Sequence, residues 1–286
     1  MKKLDKNALC VFLCYVLWGV LPAYWKLLSR VDSVYVLASR ILWSFVFSIV
    51  IVSVLGKWKE VRAVLGSRAQ CIRLLLCGVM ITVNWGSYIY AVNAGHILDA
   101  SLAYYLNPII SIFIGFLVFK ESLSVIQWIS VLIAAAGILV PVIGYGQMPV
   151  MALVIGGSFA LYSMLKKEVT ADSSVSMLIE TAFVLPFAIL FIVFMESRGK
   201  GAYGVLSGGE WLLLPLAGVV TTIPLLLFAK GIRHISMSLA GILMYVNPTL
   251  QLLLGAVVYK EKMTITEIIM FACVWTALIL FCKKEI

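Results

Sequence analysis

Ten apolar runs of about twenty residues follow one another along the chain, each long enough to cross a hydrocarbon layer about 30 Å thick. They cover approximately Ala8 to Leu28, Val34 to Leu55, Ile72 to Val92, Leu98 to Phe119, Ile126 to Ile143, Val150 to Leu165, Ser174 to Met195, Trp211 to Ala229, Ser236 to Tyr259 and Ile265 to Cys282. Lipid offers no water to satisfy backbone amides, so such runs must close their hydrogen bonds internally as helices, and the alternating pattern of a membrane barrel is absent. Composition agrees, since 63% of the 286 residues are hydrophobic and only 12% are charged, about half the charged share of soluble proteins. The expected fold class is an all-α integral membrane bundle of ten transmembrane helices, with the lipid bilayer as its surroundings.

The opening Met-Lys-Lys and the first run resemble the start of a secretory signal, but the run continues through Pro22 to Lys26 without a small-x-small cleavage site, so it reads as a retained span. The longest polar breaks, Gly56 to Cys71 and Glu196 to Glu210, are too short for a further domain. With the N-terminus inside, one face of the membrane receives Lys2, Lys3, Lys6, Lys57, Lys59, Arg62, Arg68, Arg73, Lys120, Lys166, Lys167, Lys230, Arg233, Lys283 and Lys284. The other receives Lys26, Arg30, Arg198, Lys200, Lys260 and Lys262, and Arg40 falls within a span. Fifteen against six places both termini in the cytoplasm of a bacterial cytoplasmic (inner) membrane and accounts for the net charge of +9 without nucleic acid. Cys10, Cys14, Cys71, Cys77, Cys273 and Cys282 form no CxxC pair and have no His at ligand spacing, so they read as packing residues, and no metal or cofactor is expected.

The chain repeats itself at an offset of 140 residues. Tyr105, Asn107, Pro108, Gly115, Lys120 and Glu121 return as Tyr245, Asn247, Pro248, Gly255, Lys260 and Glu261, and Leu76, Gly78, Val79 and Thr82 as Leu216, Gly218, Val219 and Thr222. The expected units are residues 1–145 and 146–286, together one transport domain. Each holds five spans, and an odd number inserts the second copy upside down. Inverted repeats belong to transporters, because exchanging the conformations of the two halves turns a state open to one side into a state open to the other. Pro108 and Pro248 leave the carbonyls of Tyr104 and Met244 without helical donors, either to bind substrate or to permit a bend. Pro22, Pro108, Pro186, Pro224 and Pro248 are the candidate hinges.

Helical spacing places Ser101, Tyr104, Pro108, Ser111 and Gly115 on one stripe with Asn107 at its edge, and Gly241, Met244, Pro248, Gln251 and Gly255 on its counterpart with Asn247. Small and polar residues on one face mean a close helix contact or a wet cavity. Tyr15, Trp18, Gly19, Pro22 and Lys26 share a face of the first span, matched in the second repeat by Ser158, Tyr162 and Lys166. Asn84, Ser87 and Tyr88 align in the third. Lys120-Glu121 and Lys260-Glu261 read as interfacial anchors or helix-end charges. Two ionisable groups lie about two turns inside spans and again 140 apart, Arg40 and Glu180. Charges so costly to place are either functional or held in structural pairs. Lys26 and Arg40 set against Glu180 bias a cavity toward a cargo with a carboxylate or another electron-rich group, and Glu180 is the candidate for coupling to protons.

The segments LWGVLPAYWK (Leu17 to Lys26), SRILWSF (Ser39 to Phe45), VNW (Val83 to Trp85), DASLAYYLNP (Asp99 to Pro108), MLIET (Met177 to Thr181) and GVVTTIPLLLF (Gly218 to Phe228) together resemble the RarD group of EamA-domain proteins, in the drug/metabolite transporter superfamily. The resemblance implies ten helices in two EamA repeats around a central cavity lined mainly by spans one, three, four, six, eight and nine, with spans five and ten behind. Trp18, Lys26, Arg40, Asn84, Trp85, Tyr104, Asn107, Glu180, Thr221, Thr222 and Tyr245 match its signature positions. Helix faces and the resemblance together give the candidate substrate-binding set Trp18, Lys26, Arg40, Asn84, Tyr88, Tyr104, Asn107, Tyr162, Glu180, Thr221, Tyr245 and Asn247.

The expected function is secondary transport, in the export direction, of a small polar or amphipathic metabolite or drug by alternating access, by a monomer or a homodimer. No Walker motif offers ATP as an energy source. A membrane-embedded enzyme acting on a lipid-linked substrate is the competing reading, but neither HExxH nor an Asp-rich cluster occurs, and the chain has two histidines. A non-transporting receptor or subunit is the third. Topology reporters placed after Ile143 or within Glu196 to Glu210 should report an extracytoplasmic site, and those within Gly56 to Cys71 or after Ile286 a cytoplasmic one; an extracytoplasmic C-terminus would refute the ten-span count.

Overall fold

The computed structural model describes residues 5–94, 96–145, 148–258, 260 and 264–282. Lys2, Lys3, Glu261, Lys262, Lys283, Lys284 and the unit junction at Gly146 lie outside the described residues. The first repeat comprises α1 (Lys6–Leu27), α2 (Ser33–Val54), the short α3 (Trp58–Leu65), α4 (Arg68–Asn93), α5 (Ile97–Leu117) and α6 (Val125–Tyr145). The second comprises α7 (Val150–Lys167), α8 (Ser173–Ser197), α9 (Leu213–Ile232), the pair α10 (Met237–Met244) and α11 (Val246–Leu253), and α12 (Ile265–Cys282). Counting α10–α11 as one, ten of these are long and apolar enough to cross a membrane. The break Gly56 to Cys71 folds into α3, which buries Val61 and Val64 and leaves Lys57, Lys59 and Arg62 on its polar side.

Equivalent helices begin in the same way. Asp32 accepts hydrogen bonds from the amides of Val34 and Tyr35 at 3.0 and 2.9 Å, and Asp172 accepts one from Ser174 at 2.9 Å, each supplying an oxygen to amides that a first helical turn leaves unpaired. The duplicated Lys-Glu also acquires a role. Lys120 and Lys260 adopt left-handed backbone (φ 52° and 55°) just past spans four and nine. At Lys120 this turn lets the Glu121 amide bond the Gly115 carbonyl at 3.0 Å, closing the end of α5. Its carboxylate then accepts from the amides of Met237 and Ser238 at 2.6 and 2.9 Å, capping α10 in the other repeat.

The helix pairings show the two-fold relation. α2 packs on α8, α5 on α10 and α6 on α12, each span meeting its own counterpart, while α4–α7 is mirrored by α1–α9, α5–α7 by α1–α11 and α2–α9 by α4–α8. Elements on an axis must meet their own copies. Tyr105 and Tyr245 do so, with ring centroids 6.5 Å apart, and a Cβ on Gly241 would stand 2.8 Å from the Pro108 carbonyl, so α10 rests directly on α5. Gly78 and Gly218 admit equivalent approaches, to the Glu180 carbonyl and to the Trp43–Ser44 backbone.

The two Asn-Pro segments differ. α5 runs through Pro108 without interruption, whereas span nine divides at Tyr245 and ends in a π-helical turn, Leu254–Val258. Matching sequences thus hold unlike conformations, as expected of inverted repeats halted on one side of their cycle. Gly218→Leu overfills the α2–α9 contact and should cost about 1–3 kcal/mol, seen as a lower unfolding temperature in detergent. The control Gly144→Leu, with nothing within 4 Å of its Cβ position, should leave that temperature unchanged.

Candidate functional site

A cavity of about 520 Å³ opens between the two repeats, within the usual size of small-molecule sites. Trp25, Leu28 and Ser29 at the end of α1, Ser33 and Val36 at the start of α2, and Val92 and Asn93 at the end of α4 form its wide end. All lie on the face of the membrane opposite the N-terminus.

Its other end is shut. Trp18 and Phe159 form the floor, edge to face with ring centroids 5.4 Å apart. Beneath them the buried rings of Tyr15, Tyr162 and Phe228 pack together, Tyr162 stacked on Phe228 at 5.9 Å, and each such contact adds about 0.5–1.5 kcal/mol to its burial. Below that, the Lys166 ammonium pairs with Glu180 and donates to Ser176 at 2.5 Å, and Ser176 donates to Glu180 at 3.1 Å. Lys166 is 1% and Glu180 3% exposed, so neither has water as an alternative partner. At the membrane surface on this side Lys57 pairs with Asp172 at 2.7 Å, Arg73 with Glu168 at 3.3 Å, and Arg233 donates to the Ala171 carbonyl at 2.6 Å. Burial raises the Asp172 carboxyl, but hydrogen bonds from Lys57 and Ser174 outweigh it and hold the group at about 2. The folded value lies below the ordinary one, so this pair stabilises fully above the usual carboxylate range and is lost only as pH falls toward the folded value.

Arg40 is the cation of the open cavity. Its guanidinium lies between the rings of Trp25 and Trp85, 4.4 and 4.3 Å from their centroids, and its Nε donates to the Thr221 hydroxyl at 3.0 Å. Two stacked indoles and one hydroxyl hold the group flat without neutralising it. Among the described residues no carboxylate lies within ion-pair distance of Arg40, and none lines the cavity. Asn84 donates to the Ile155 carbonyl and Asn107 to that of Gly156, both at 2.7 Å, which ties α4 and α5 to α7. Asn247 accepts from Gln251 at 2.6 Å. Tyr88 and Tyr104 meet edge to face at 5.7 Å on the wall. The arrangement offers one fixed cation, amides and phenols among aromatic surfaces: it can orient an anionic group on an apolar body.

The structure therefore brings Trp18, Pro22, Arg40, Asn84, Tyr88, Tyr104, Asn107 and Asn247 together. Lys26, exposed on the last turn of α1, is not a lining residue. Tyr245 is buried against Tyr105, and Tyr162 lies under the floor. Thr221 reaches the cavity only through Arg40, as α9 contributes no lining residue and α2 takes its place. Pro108, Pro186, Pro224 and Pro248 stand away from the wall. Glu180 does not oppose Arg40 across the cavity, because Lys166, fourteen residues earlier on the adjoining helix, reaches it first. Lys166, counted above as a loop charge, is an interior one. Sequence reasoning gave no role to Trp25, whose place near a helix end reads as an interfacial anchor; the signal for Lys166 was present in its offset from Lys26, equal to that of Glu180 from Arg40.

Two matches to the EamA-like transporter family cover residues 6–143 and 147–282. The chain belongs to this family of membrane transporters. Similar proteins include "Uncharacterized transporter YojE" of Bacillus subtilis, 40% identical over 98% of this chain and 95% of that one. "Protein RarD" of Escherichia coli is 34% identical over 100% and 96%, which places the chain with RarD-type members. A crystal structure with 18% identity superposes at TM-score 0.75 over 97% of both chains and shows the same fold.

Glu180→Gln leaves the Lys166 ammonium buried without a counter-charge and should destabilise the protein by about 3–5 kcal/mol, read as a lower unfolding temperature. Lys166→Met combined with Glu180→Leu should recover most of the loss.

Proposed function

We propose that the protein is a secondary transporter that moves a small organic anion, with a carboxylate or an equivalent oxyanion on an apolar or aromatic body, by alternating access between the two faces of the membrane. The observation that carries the reading is Arg40, an interior cation presented to a cavity that no carboxylate lines among the described residues. A desolvated guanidinium with no internal counter-charge is a site for an anion. The aromatic walls and the amides of Asn84 and Gln251 suit the remainder of such a molecule. One-sided access supports alternation: the wide end is open while rings, the Lys166–Glu180 pair and surface ion pairs shut the other.

With the N-terminus in the cytoplasm, the cavity of this state faces outward. Export is the direction we assign, driven by the cargo's own gradient or by exchange. We do not assign proton coupling to Glu180, because its carboxylate is engaged with Lys166 beyond the cavity floor.

The test is a thermal-shift screen of purified protein against organic acids, amines and neutral analogues of similar size, followed by flux of the best ligand in proteoliposomes. Acids should raise the unfolding temperature, as a ligand of the folded state must. Arg40→Gln should weaken that binding about tenfold or more, consistent with the worth of a charge-assisted hydrogen bond. Stabilisation by amines alone, or acid binding unaffected in Arg40→Gln, would overturn the reading; ligand turnover without flux would point to an enzyme.

A further inference from the structure

We infer that the anionic group of the cargo is a carboxylate, taken end-on and in plane by the Arg40 guanidinium, and that Trp25 and Trp85 select it over sulfonate, sulfate and phosphate groups. The inference rests on the transport reading above and narrows it.

A guanidinium carries five N–H donors and offers an anion two edges, a side edge made of Nε and one Nη and an end edge made of both Nη groups. At Arg40 the side edge is occupied, because Nε donates at 3.0 Å to the hydroxyl of Thr221, itself buried on α9. The four N–H groups on the Nη nitrogens have no hydrogen-bond partner among the described residues, and Arg40 is a partly exposed lining residue, so these donors open on the cavity. What remains is the end edge, whose two parallel N–H groups meet two oxygens of one oxyanion. Thr221 keeps the fork from turning to present its other edge.

The fork alone does not choose among oxyanions, since phosphate and sulfonate groups meet two parallel donors as a carboxylate does. The indoles make the choice. Trp25 comes from α1 and Trp85 from α4, and their ring centroids stand 4.4 and 4.3 Å from the Arg40 Cζ, so the flat cation fills the gap between them. An indole is wider than a guanidinium and reaches past its edge, which continues the gap over the place where the anion sits. A carboxylate continues the plane: both oxygens and the bond to the body lie in it, and the positive rims of the two rings face its charge. A tetrahedral group held by the same two bonds turns its third oxygen to one side of the plane and its bond to the body to the other. Both then press on the indoles, whose negative faces repel the oxygen and whose spacing the group overfills.

The test is calorimetric titration of the purified protein with three probes that share one body: benzoate, benzenesulfonate and phenylphosphonate. Benzoate should bind about tenfold or more tightly than either of the others, the scale expected when a group overfills a fitted site. Trp25→Leu, near the end of α1 at a half-buried position, opens one wall and should bring the three affinities within about threefold of one another. Trp25→Phe keeps a flat wall and should keep most of the preference, and Trp85→Leu should act as Trp25→Leu does. Comparable affinities for benzoate and either of the other probes in the unaltered protein, or a preference unchanged in folded Trp25→Leu and Trp85→Leu, would overturn this inference and leave the transport reading standing. Binding of none of the three probes, or benzoate binding unaffected in Arg40→Gln, would overturn the transport reading and this inference with it.

Discussion

A charge buried away from water must find an opposite charge, and among the described residues that requirement is met on one side of this molecule and left open on the other. Lys166 and Glu180, both interior, bind each other and so hold the end of α7 to the first half of α8. With that end fixed, the rings of Tyr162, Phe228 and Tyr15 stack above the pair, Trp18 and Phe159 become a floor, and the cavity has one mouth. Arg40, the counterpart of Glu180, is held by indoles and a hydroxyl and has no carboxylate within ion-pair distance among the described residues. In this state the Lys166–Glu180 pair lies at the shut end and Arg40 at the open one.

The fold was legible because its determinants are local and repeated. Apolar runs set the spans, the offset of 140 set the pairing of the halves, and the odd number of spans set their inversion. Gly78 and Gly218 lie at equivalent helix contacts for the reason small residues usually do, to let backbones approach. What the repeat could not reveal is where the halves differ. Asn107-Pro108 lies in an unbroken helix and Asn247-Pro248 just after a break, although the residues match, because conformation here is a property of the state of the pair of repeats.

The cavity was partly legible. Helix faces brought out Trp18, Asn84, Tyr104, Asn107 and Asn247 because an i, i+3, i+4 stripe survives folding. Partner choice did not follow from the same periodicity. A stripe shows that Glu180 faces inward, but not that Lys166 bends into the protein to meet it instead of reaching toward the membrane surface as lysines near helix ends commonly do. Trp25 was hidden for a similar reason: at the end of a span an indole ordinarily marks the lipid interface, and only tertiary contact shows it against Arg40. Thr221 was found by resemblance, yet its contact is with the arginine, so it positions the cation and leaves the wall to α2.

The central claim is that a small organic anion binds at Arg40 and is carried across the membrane down whichever gradient is imposed on it. Electrical recording on a solid-supported membrane measures this directly, as proteoliposomes are exposed to sudden steps of organic acids or of size-matched amines. The account predicts transient currents with the sign of inward-moving negative charge for acids, absent from vesicles without protein. Currents evoked by amines alone, or acid currents of the opposite sign, would contradict it.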